Sequence, residues 1–298
     1  MDSPENQHRE MWTKELGRTG VRVPEIGFGT WQYSGGAGPI RRAADLGACL
    51  IDTAEAYGNE DLVGEAVRAI RDRVFLASKV SPEHFSRPAL LRSADESLRR
   101  LGVDRIDLYQ LHRPSRTVPI KETMEAMEEL VDRGKVRFIG VSNFSLRQLR
   151  RAQAVLLRNR IVSNQVRYNL IDRDIERGLL AYCRANGISV IAYSPLARGI
   201  PNMFARDPRG VLRQVAAATG KTPAQVALNW CVSSEGVIAI PKASSAERVE
   251  ENCRGSGWRL SSEHVRILRE GMRFRRRGRV ETALRGFAGR ILRRAGLR

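Results

Sequence analysis

The chain has 298 residues, of which 42% are hydrophobic and 28% are charged, so it can bury a sizeable core in one large α/β domain or two average ones. Its formal net charge is +18, and half of this excess falls in residues 269–298, which contain eleven arginines and two glutamates. The remaining charge is spread over the body of the chain, which is typical of a solvated surface and argues against nucleic-acid binding there.

Cysteine usage and hydropathy narrow the class of protein further. The four cysteines lie far apart with no paired spacing, which favours reduced thiols over a disulfide framework or a zinc site. The polar N-terminus lacks the apolar core of a secretory signal, and no apolar run is long enough to cross a bilayer. We therefore expect a cytoplasmic protein that uses no metal.

Short apolar runs alternate along the chain with longer amphipathic segments. There are eight such runs, and most of them are nearly continuous in apolar residues, as strands buried on both faces should be. The predicted strands are Ile26–Thr30, Cys49–Ala54, Val74–Val80, Ile106–His112, Val136–Asn143, Val162–Tyr168, Ser189–Pro195 and Val237–Lys242. The predicted helices, several with Pro starts or Gly stops, are Pro88–Leu101, Thr117–Arg133, Glu176–Asn186, Thr222–Ser233 and two that begin near Ala246 and Ser262.

This alternation predicts an α/β fold, a single-domain (β/α)8 TIM barrel. An open, doubly wound sheet is disfavoured because no G-x-G-x-x-G follows an early strand, and the nearest glycine-rich run, residues 35–38, has the wrong spacing. Residues 12–24 predict an N-terminal hairpin that caps the bottom of the barrel. We place the barrel at residues 12–270 and an Arg-rich, amphipathic helical tail at residues 271–298.

Four polar residues end the second, third and fourth predicted strands, and strand ends carry the working residues of such barrels. They are Asp52, Tyr57, Lys79 and His112. A free tyrosine has a pKa of about 10, and a nearby lysine ammonium favours its phenolate. Asp52 supplies the counter-charge that a buried lysine needs, and His112 can hydrogen-bond a substrate oxygen. The set predicts a general acid beside a carbonyl-positioning donor.

Each of these residues also has a structural interpretation when it is taken alone. Asp52 can cap a turn, Lys79 can belong to a structural ion pair, and Tyr57 or His112 can simply pack in the core. Four chemically matched residues at three successive strand ends favour the functional interpretation.

The sequence resembles the aldo-keto reductase superfamily from about Leu16 to about Leu268. The matching motifs agree in order and spacing: Gly27–Trp31, Asp52–Gly58, Lys79, Asp107–His112, Gly140–Phe144, Asn164–Val166, Ala192–Leu196 and Ile240–Lys242. The resemblance implies an NADPH-dependent enzyme that reduces small aldehydes or ketones to alcohols, reversibly, by direct hydride transfer. It also implies a catalytic tetrad of Asp52, Tyr57, Lys79 and His112, with Tyr57 as the proton donor.

The resemblance assigns cofactor-binding positions as well. Ser142, Asn143, Gln165 and Tyr193 match the nicotinamide site; Ser194, Leu196 and Gly199 match the pyrophosphate stretch; Lys242, Ser244, Ser245 and Arg248 match the 2′-phosphate pocket, with Glu251 and Asn252 toward the adenine. Cations and hydroxyls near a helix N-terminus suit a phosphate, so NADP(H) is expected to be preferred, with NAD(H) as the alternative. Ala243 stands where many members have a serine, which weakens the discrimination. In the structural interpretation, Lys242 and Arg248 only complement the glutamates of the next helix.

The substrate side is less well specified. The resemblance places Trp31, Arg113 and Phe144 in the substrate pocket, and Arg113 beside His112 would suit an anionic substrate. We expect a small carbonyl substrate and a monomer or weak oligomer.

The basic tail departs from the family pattern. Residues 273–298 combine arginines with an apolar stripe at helical spacing, namely Val280, Leu284, Phe287 and Ile291. The narrow stripe favours packing on the barrel or on a second subunit, which leaves the mouth of the barrel open. Contact with an anionic membrane surface or nucleic acid is the alternative. The tail also keeps a second class of function open, a cofactor-sensing regulatory or scaffold protein on the same barrel.

Overall fold

The computed structural model describes residues 10–274, which begin with a short hairpin and continue into alternating strands and helices. The hairpin strands are β1 (Thr13–Glu15) and β2 (Arg22–Pro24). The remaining strands are β3 (Phe28–Gly29), β4 (Leu50–Asp52), β5 (Phe75–Val80), β6 (Ile106–Leu111), β7 (Val136–Ser142), β8 (Ile161–Arg167), β9 (Ser189–Tyr193) and β10 (Val237–Ile240). All eight fall on the strands predicted from the sequence.

Strands β3 to β10 form one parallel sheet in which each strand pairs with the next along the chain. A bridge between Ile26 and Ala239 joins the first strand to the last. The backbones come close here, since a Cβ on Gly29 would lie 2.9 Å from the carbonyl oxygen of Ile240. The sheet is therefore a (β/α)8 barrel, which confirms the predicted fold.

Helices on the outside of the barrel cover the sheet. They are α1 (Ala37–Asp45), α2 (Glu60–Val67), α3 (Arg87–Leu101), α4 (Ile120–Asp132), α5 (Leu146–Gln153), α6 (Leu179–Ala185), α7 (Ile200–Phe204), α8 (Val211–Thr219), α9 (Pro223–Val232), α10 (Ala246–Cys253) and α11 (Ser262–Gly271). Two begin with reciprocal capping boxes, Ser145 with Gln148 and Thr222 with Gln225, which satisfy backbone N–H groups that have no partner within the helix.

The hairpin closes the amino-terminal end of the barrel, as expected. Leu16 and Val23 pack in the same hydrophobic cluster as Leu50 and Phe75, which lie at the starts of their strands. Lys14 Nζ donates to the carbonyl oxygens of Ser234 and Val237 at 3.1 and 2.8 Å, and also to that of Val232.

Inside the barrel, side chains from alternate positions of each strand form layers. An apolar layer contains Leu50, Ala77, Leu108, Ile191 and Ile238. Two residues further along β4, β5, β6 and β9, and therefore toward the carboxyl end, polar side chains follow instead, namely Asp52, Lys79, Gln110 and Tyr193. This change from apolar to polar side chains marks the boundary between the hydrophobic interior of the barrel and the candidate functional site.

The predicted tail helix lies outside the described residues. The same holds for the expected anionic contact through residues 273–298, of which the structure describes only Arg273 and Phe274. The described chain ends after α11, where Met272 is buried and the Arg273 backbone N–H donates to Arg206 at 2.8 Å. Within residues 10–274, no helix is long and apolar enough to span a membrane. The same residues contain no cluster of three or more His, Cys, Asp or Glu side chains that could hold a metal ion.

Candidate active site

A buried ion pair lies at the carboxyl end of the barrel interior. Lys79 Nζ donates to Asp52 Oδ1 at 2.5 Å, and the two side chains are 0% and 2% exposed. Lys79 also donates to the Thr53 carbonyl oxygen at 2.8 Å. The second oxygen of Asp52 accepts from the amides of Gln165 and Gln110 at 2.7 and 3.2 Å. Because both charges are hydrogen-bonded on several sides, their desolvation is compensated.

Tyr57 lies directly above this pair. It ends a 3-10 turn, Glu55–Tyr57, which stops at Gly58 with φ of 65°. Lys79 Nζ lies 3.3 Å from Tyr57 Oη and 4.9 Å from the centre of its ring. The His112 ring meets the Tyr57 ring edge-on, with centroids 5.5 Å apart. The structure thus brings together all four residues of the predicted tetrad.

The protonation of this cluster follows from burial and charge. Burial raises the pKa of the Tyr57 phenol, while the Lys79 ammonium opposes the rise. Burial on its own would lower the pKa of Lys79, but the Asp52 carboxylate and Tyr57 outweigh it, and the pKa of Lys79 is raised. The lysine therefore carries a positive charge beneath a protonated phenol. Burial and the lysine thus act on the pKa of Tyr57 in opposite directions, and only the effect of the lysine can be read from the sequence.

The turn that carries Tyr57 is held by a carboxylate that the sequence argument overlooked. Glu55 accepts from the Ser81 backbone N–H at 2.6 Å and from His84 Nδ1 at 3.0 Å, and its other oxygen accepts from Ser93. These contacts fix the turn to the loop after β5 and to α3. Tyr57 is thereby positioned relative to Lys79, which lies on β5 just before that loop.

The predicted nicotinamide residues meet at the ends of β7, β8 and β9. Tyr193 Oη donates to Asn143 Oδ1 at 2.9 Å, and the Asn143 amide donates to the His112 carbonyl oxygen at 3.1 Å and to Ser142 Oγ at 2.9 Å. Gln165 is 2% exposed and donates to Asp52. One network therefore connects the predicted nicotinamide site with the tetrad.

The loop after β9 has an unusual backbone over the predicted pyrophosphate stretch. Ser194, Ala197 and Arg198 all have positive φ, at 50°, 53° and 68°, a conformation that costs free energy in non-glycine residues and clusters at ligand sites. A hydrogen bond from the Gly199 backbone N–H to the Leu196 carbonyl oxygen closes this stretch at 2.8 Å.

The predicted 2′-phosphate pocket lies between β10 and α10. Ser245 caps α10, accepting from the Arg248 backbone N–H, and Lys242, Ser244 and Arg248 are exposed. Within residues 10–274, Lys242 and Arg248 form no ion pair, and Lys242 Nζ donates instead to the Gln32 carbonyl oxygen at 3.0 Å. Two exposed cations and hydroxyls at a helix N-terminus fit a phosphate monoester.

The structural interpretation, in which Lys242 and Arg248 only complement the glutamates of α10, does not match the ion pairs that the described residues form. Glu250 pairs with Arg42 at 2.6 Å and with Arg254 at 3.8 Å. Toward the predicted adenine end, Glu251 is half-buried and Asn252 is buried.

The three predicted substrate-pocket residues differ in their surroundings. Trp31 is 42% exposed, and the Arg198 guanidinium lies 5.2 Å from its ring centre. Arg113 pairs with Glu83 at 2.8 Å, which offsets the positive charge that was expected to attract an anion. Phe144 is 2% exposed and packs in the main hydrophobic cluster, so it offers little surface to a substrate.

Gln110 is a site residue that the sequence argument missed. It lies on β6 two positions before His112, so the alternation of the strand turns it into the barrel, where its amide donates to Asp52. Its signal in the sequence is a polar amide inside an otherwise apolar run, at the same parity as His112.

The family model described as the Aldo/keto reductase family matches residues 25–272, which identifies the barrel as an oxidoreductase. The chain belongs to the aldo/keto reductase family. The resemblance seen in the sequence is thereby confirmed.

Two relatives show how closely the chain follows the family. It is 38% identical to the methylglyoxal reductase YeaE of Escherichia coli (strain K12), over 83% of this chain and 90% of that protein. It is 34% identical to the aldo-keto reductase YhdN of Bacillus subtilis (strain 168), over 82% of this chain and 88% of that protein.

Solved structures agree with these relatives. The thermostable aldo-keto reductase Tm1743, in complex with the inhibitor epalrestat, superposes with a TM-score of 0.82 at 40% identity, covering 87% of this chain and 99% of that one. An aldo/keto reductase from Klebsiella pneumoniae in complex with NADP and acetate superposes with a TM-score of 0.78 at 38% identity, covering 90% and 98%.

Proposed function

We propose that this enzyme reduces small aldehydes or ketones to alcohols, reversibly, with NADPH. The observation that carries the proposal is the chain of contacts Asp52–Lys79–Tyr57 at the mouth of the barrel, with the His112 ring facing the phenol. Such a chain can deliver one proton to a carbonyl oxygen, which is what carbonyl reduction requires besides hydride.

In the proposed mechanism, Tyr57 Oη gives its proton to the substrate oxygen. The Lys79 ammonium stabilises the phenolate that remains, and Asp52 holds the lysine in place with its charge balanced. His112 orients the carbonyl by hydrogen bonding, which aligns the reacting atoms before transfer. In alcohol oxidation, the Tyr57 phenolate accepts the proton.

The cofactor proposal is supported by the residues at the strand ends and by the NADP complex of the Klebsiella relative. Bound NADPH would supply the hydride. Ser142, Asn143 and Gln165 would hold the carboxamide of the nicotinamide, and the nicotinamide ring would stack on Tyr193. The stretch containing Ser194, Leu196 and Gly199 would pass the pyrophosphate. Lys242, Ser244, Ser245 and Arg248 would bind the 2′-phosphate, with Glu251 and Asn252 beside the adenine.

For the substrate, we propose a short carbonyl compound such as a 2-oxoaldehyde. The relative YeaE is named a methylglyoxal reductase, and Trp31 provides an exposed aromatic wall at the mouth. The Arg113–Glu83 ion pair makes a strongly anionic substrate a poorer fit than a neutral one.

The test measures NADPH consumption with a panel of small aldehydes and ketones, comparing the wild type with Tyr57→Phe. We expect the wild type to turn over and the variant to lose at least a hundredfold in kcat, because general acid catalysis contributes roughly 10²–10⁴. Tyr182→Phe on α6 is the matched control and should keep full activity.

Two further outcomes would contradict the proposal. Equal activity of wild type and Tyr57→Phe would show that Tyr57 is not the proton donor. If both proteins bound NADPH and neither turned over any carbonyl, or any alcohol in reverse, the barrel would be a cofactor sensor instead.

A further inference from the structure

An arginine lies against the aromatic ring on which the nicotinamide is proposed to stack. Arg167 ends β8, and its backbone is in register with Tyr193 at the end of β9. Because residues in register on parallel strands point to the same side of a sheet, both side chains stand at the inner rim of the barrel. The Arg167 guanidinium carbon lies 5.5 Å from the Tyr193 ring centre.

This arginine forms no ion pair with the residues that the structure describes. Its Nε is buried and has no hydrogen-bond partner among the described residues. The side chain lines a cavity of about 210 Å³ together with a second cation, Arg198, and with Asp172. No ion pair joins Arg167 to Asp172 in the described part of the chain, and Asp172 accepts instead from the Asn169 amide.

The Tyr193 ring is also fixed in place. Its hydroxyl donates to Asn143, whose own amide is held by the backbone of His112. Arg167 covers one face of this ring, so a flat group stacked on Tyr193 takes the opposite face. The positive charge of Arg167 therefore lies on the far side of the Tyr193 ring from the stacked group, at a short and constant distance.

We propose that Arg167 is a specificity-determining residue that makes the site bind the reduced cofactor more tightly than the oxidised one. This rests on the proposed function, in which the nicotinamide stacks on Tyr193. The nicotinamide ring is neutral in NADPH and carries a positive charge in NADP⁺. Since like charges repel more strongly at a partly buried site than in water, Arg167 weakens binding of NADP⁺ selectively.

This discrimination has a consequence for turnover. After carbonyl reduction the bound cofactor is NADP⁺, and a site that binds NADP⁺ less tightly releases it faster. Arg167 thus favours the reducing cycle without contacting the substrate.

The test is the ratio of the dissociation constants of NADP⁺ and NADPH, measured by fluorescence titration or calorimetry. We expect wild type to bind NADPH more tightly. Arg167→Met, which keeps the length of the side chain and removes the charge, should reduce the ratio about tenfold, mainly by tightening NADP⁺. Arg167→Lys, which keeps the charge, should retain the ratio.

Arg160→Gln is the matched control, because Arg160 is exposed and immediately precedes β8, roughly 20 Å from Arg167 at the other end of the strand. It should leave the ratio unchanged, which separates a local effect from the net charge of the protein. If Arg167→Met weakened both cofactors equally, the arginine would be a structural or phosphate contact, and the proposal would be overturned.

Wild-type binding alone already tests the inference should the neutral variant fail to fold. Tighter or equal binding of NADP⁺ by a wild type that turns over carbonyls would defeat the role of Arg167 and leave the reductase proposal standing. A wild type that bound neither cofactor would defeat both.

Discussion

Lys79 is the residue of the proposed tetrad on which we expect both stability and chemistry to depend. It is fully buried, and it neutralises Asp52 while facing Tyr57. Removing only the lysine leaves a carboxylate buried without its counter-charge, which is far costlier than removing both charges.

Lys79→Met should therefore lower the free energy of unfolding by about 3–5 kcal/mol and reduce kcat at least a hundredfold. The double variant Lys79→Met with Asp52→Leu should recover much of the stability but none of the activity. Urea unfolding and steady-state kinetics on the three proteins measure the two effects separately. A double variant as unstable as the single one would refute the explanation by an unpaired charge.

At this scale the sequence predicted the tetrad but not its supports. Asp52, Tyr57, Lys79 and His112 stand out because their side-chain chemistry is rare at buried strand ends. Glu55 and Gln110 do not stand out, because an acidic residue in a turn and one glutamine in a strand have many ordinary explanations. Only the register of the strands and the packing of α3 show that they hold Asp52 and the Tyr57 turn.

Among the elements, the junction of β10 and α10 is the one that we propose determines which cofactor is preferred. Arg248→Gln should weaken NADPH binding about tenfold or more, because a charge-assisted hydrogen bond contributes roughly 1.5–3 kcal/mol. NADH lacks the 2′-phosphate and should bind unchanged. Arg254→Gln just beyond the same helix is the control, since Arg254 pairs with Glu250. Parallel titrations with NADPH and NADH measure both affinities. An equal loss of affinity for the two cofactors would show that Arg248 does not bind the 2′-phosphate.

The same junction allows a gain of function. Ala243 is buried beside Lys242, at the position where the family commonly has a serine. Ala243→Ser should tighten NADPH several-fold and leave NADH alone, if the added hydroxyl reaches the phosphate. Binding measured at fixed salt tests this, and an equal effect on both cofactors would contradict it.

The elements themselves were predicted unevenly. All eight barrel strands were found because most of them, being buried on both faces, are nearly continuous apolar runs. The helices α3 and α9 were found from their proline starts. The 3-10 turn that carries Tyr57 was not predicted. Neither were five helices of five to nine residues, namely α1, α2, α5, α7 and α8. A helix of five residues contains too little periodicity to be recognised, and its position depends on tertiary contacts.

For the molecule as a whole, the stability depends on pH through Lys14, a lysine with a shifted pKa in the hairpin at the bottom of the barrel. Burial lowers the pKa of Lys14 to about 8, and the Glu25 carboxylate opposes this shift. Unfolded lysine titrates at about 10.4. Between these two values the unfolded chain holds a proton that the folded chain lacks, so the contribution of Lys14 to stability rises with pH.

The unfolding free energy of wild type should therefore increase relative to Lys14→Met as the pH is raised from 7.5 to 10.5. The shift in pKa limits the change to about 3 kcal/mol. Denaturant unfolding of both proteins at several pH values measures it, with exposed Lys121→Met as the control. A difference between the proteins that stays constant with pH would show that Lys14 titrates normally.

The seam of the barrel has a consequence for how the chain is made. Ile26 and Ala239 meet across more than two hundred residues, and the proposed phosphate-binding junction follows this seam immediately. During synthesis the ribosome releases Ile26 early and Ala239 late, so the nascent chain holds an open sheet edge until most of the protein has emerged. Neither the cofactor nor a substrate can stabilise the fold before that moment. The nascent enzyme therefore depends on its own hydrophobic layers, and on whatever chaperones bind it, until the last strand closes the ring.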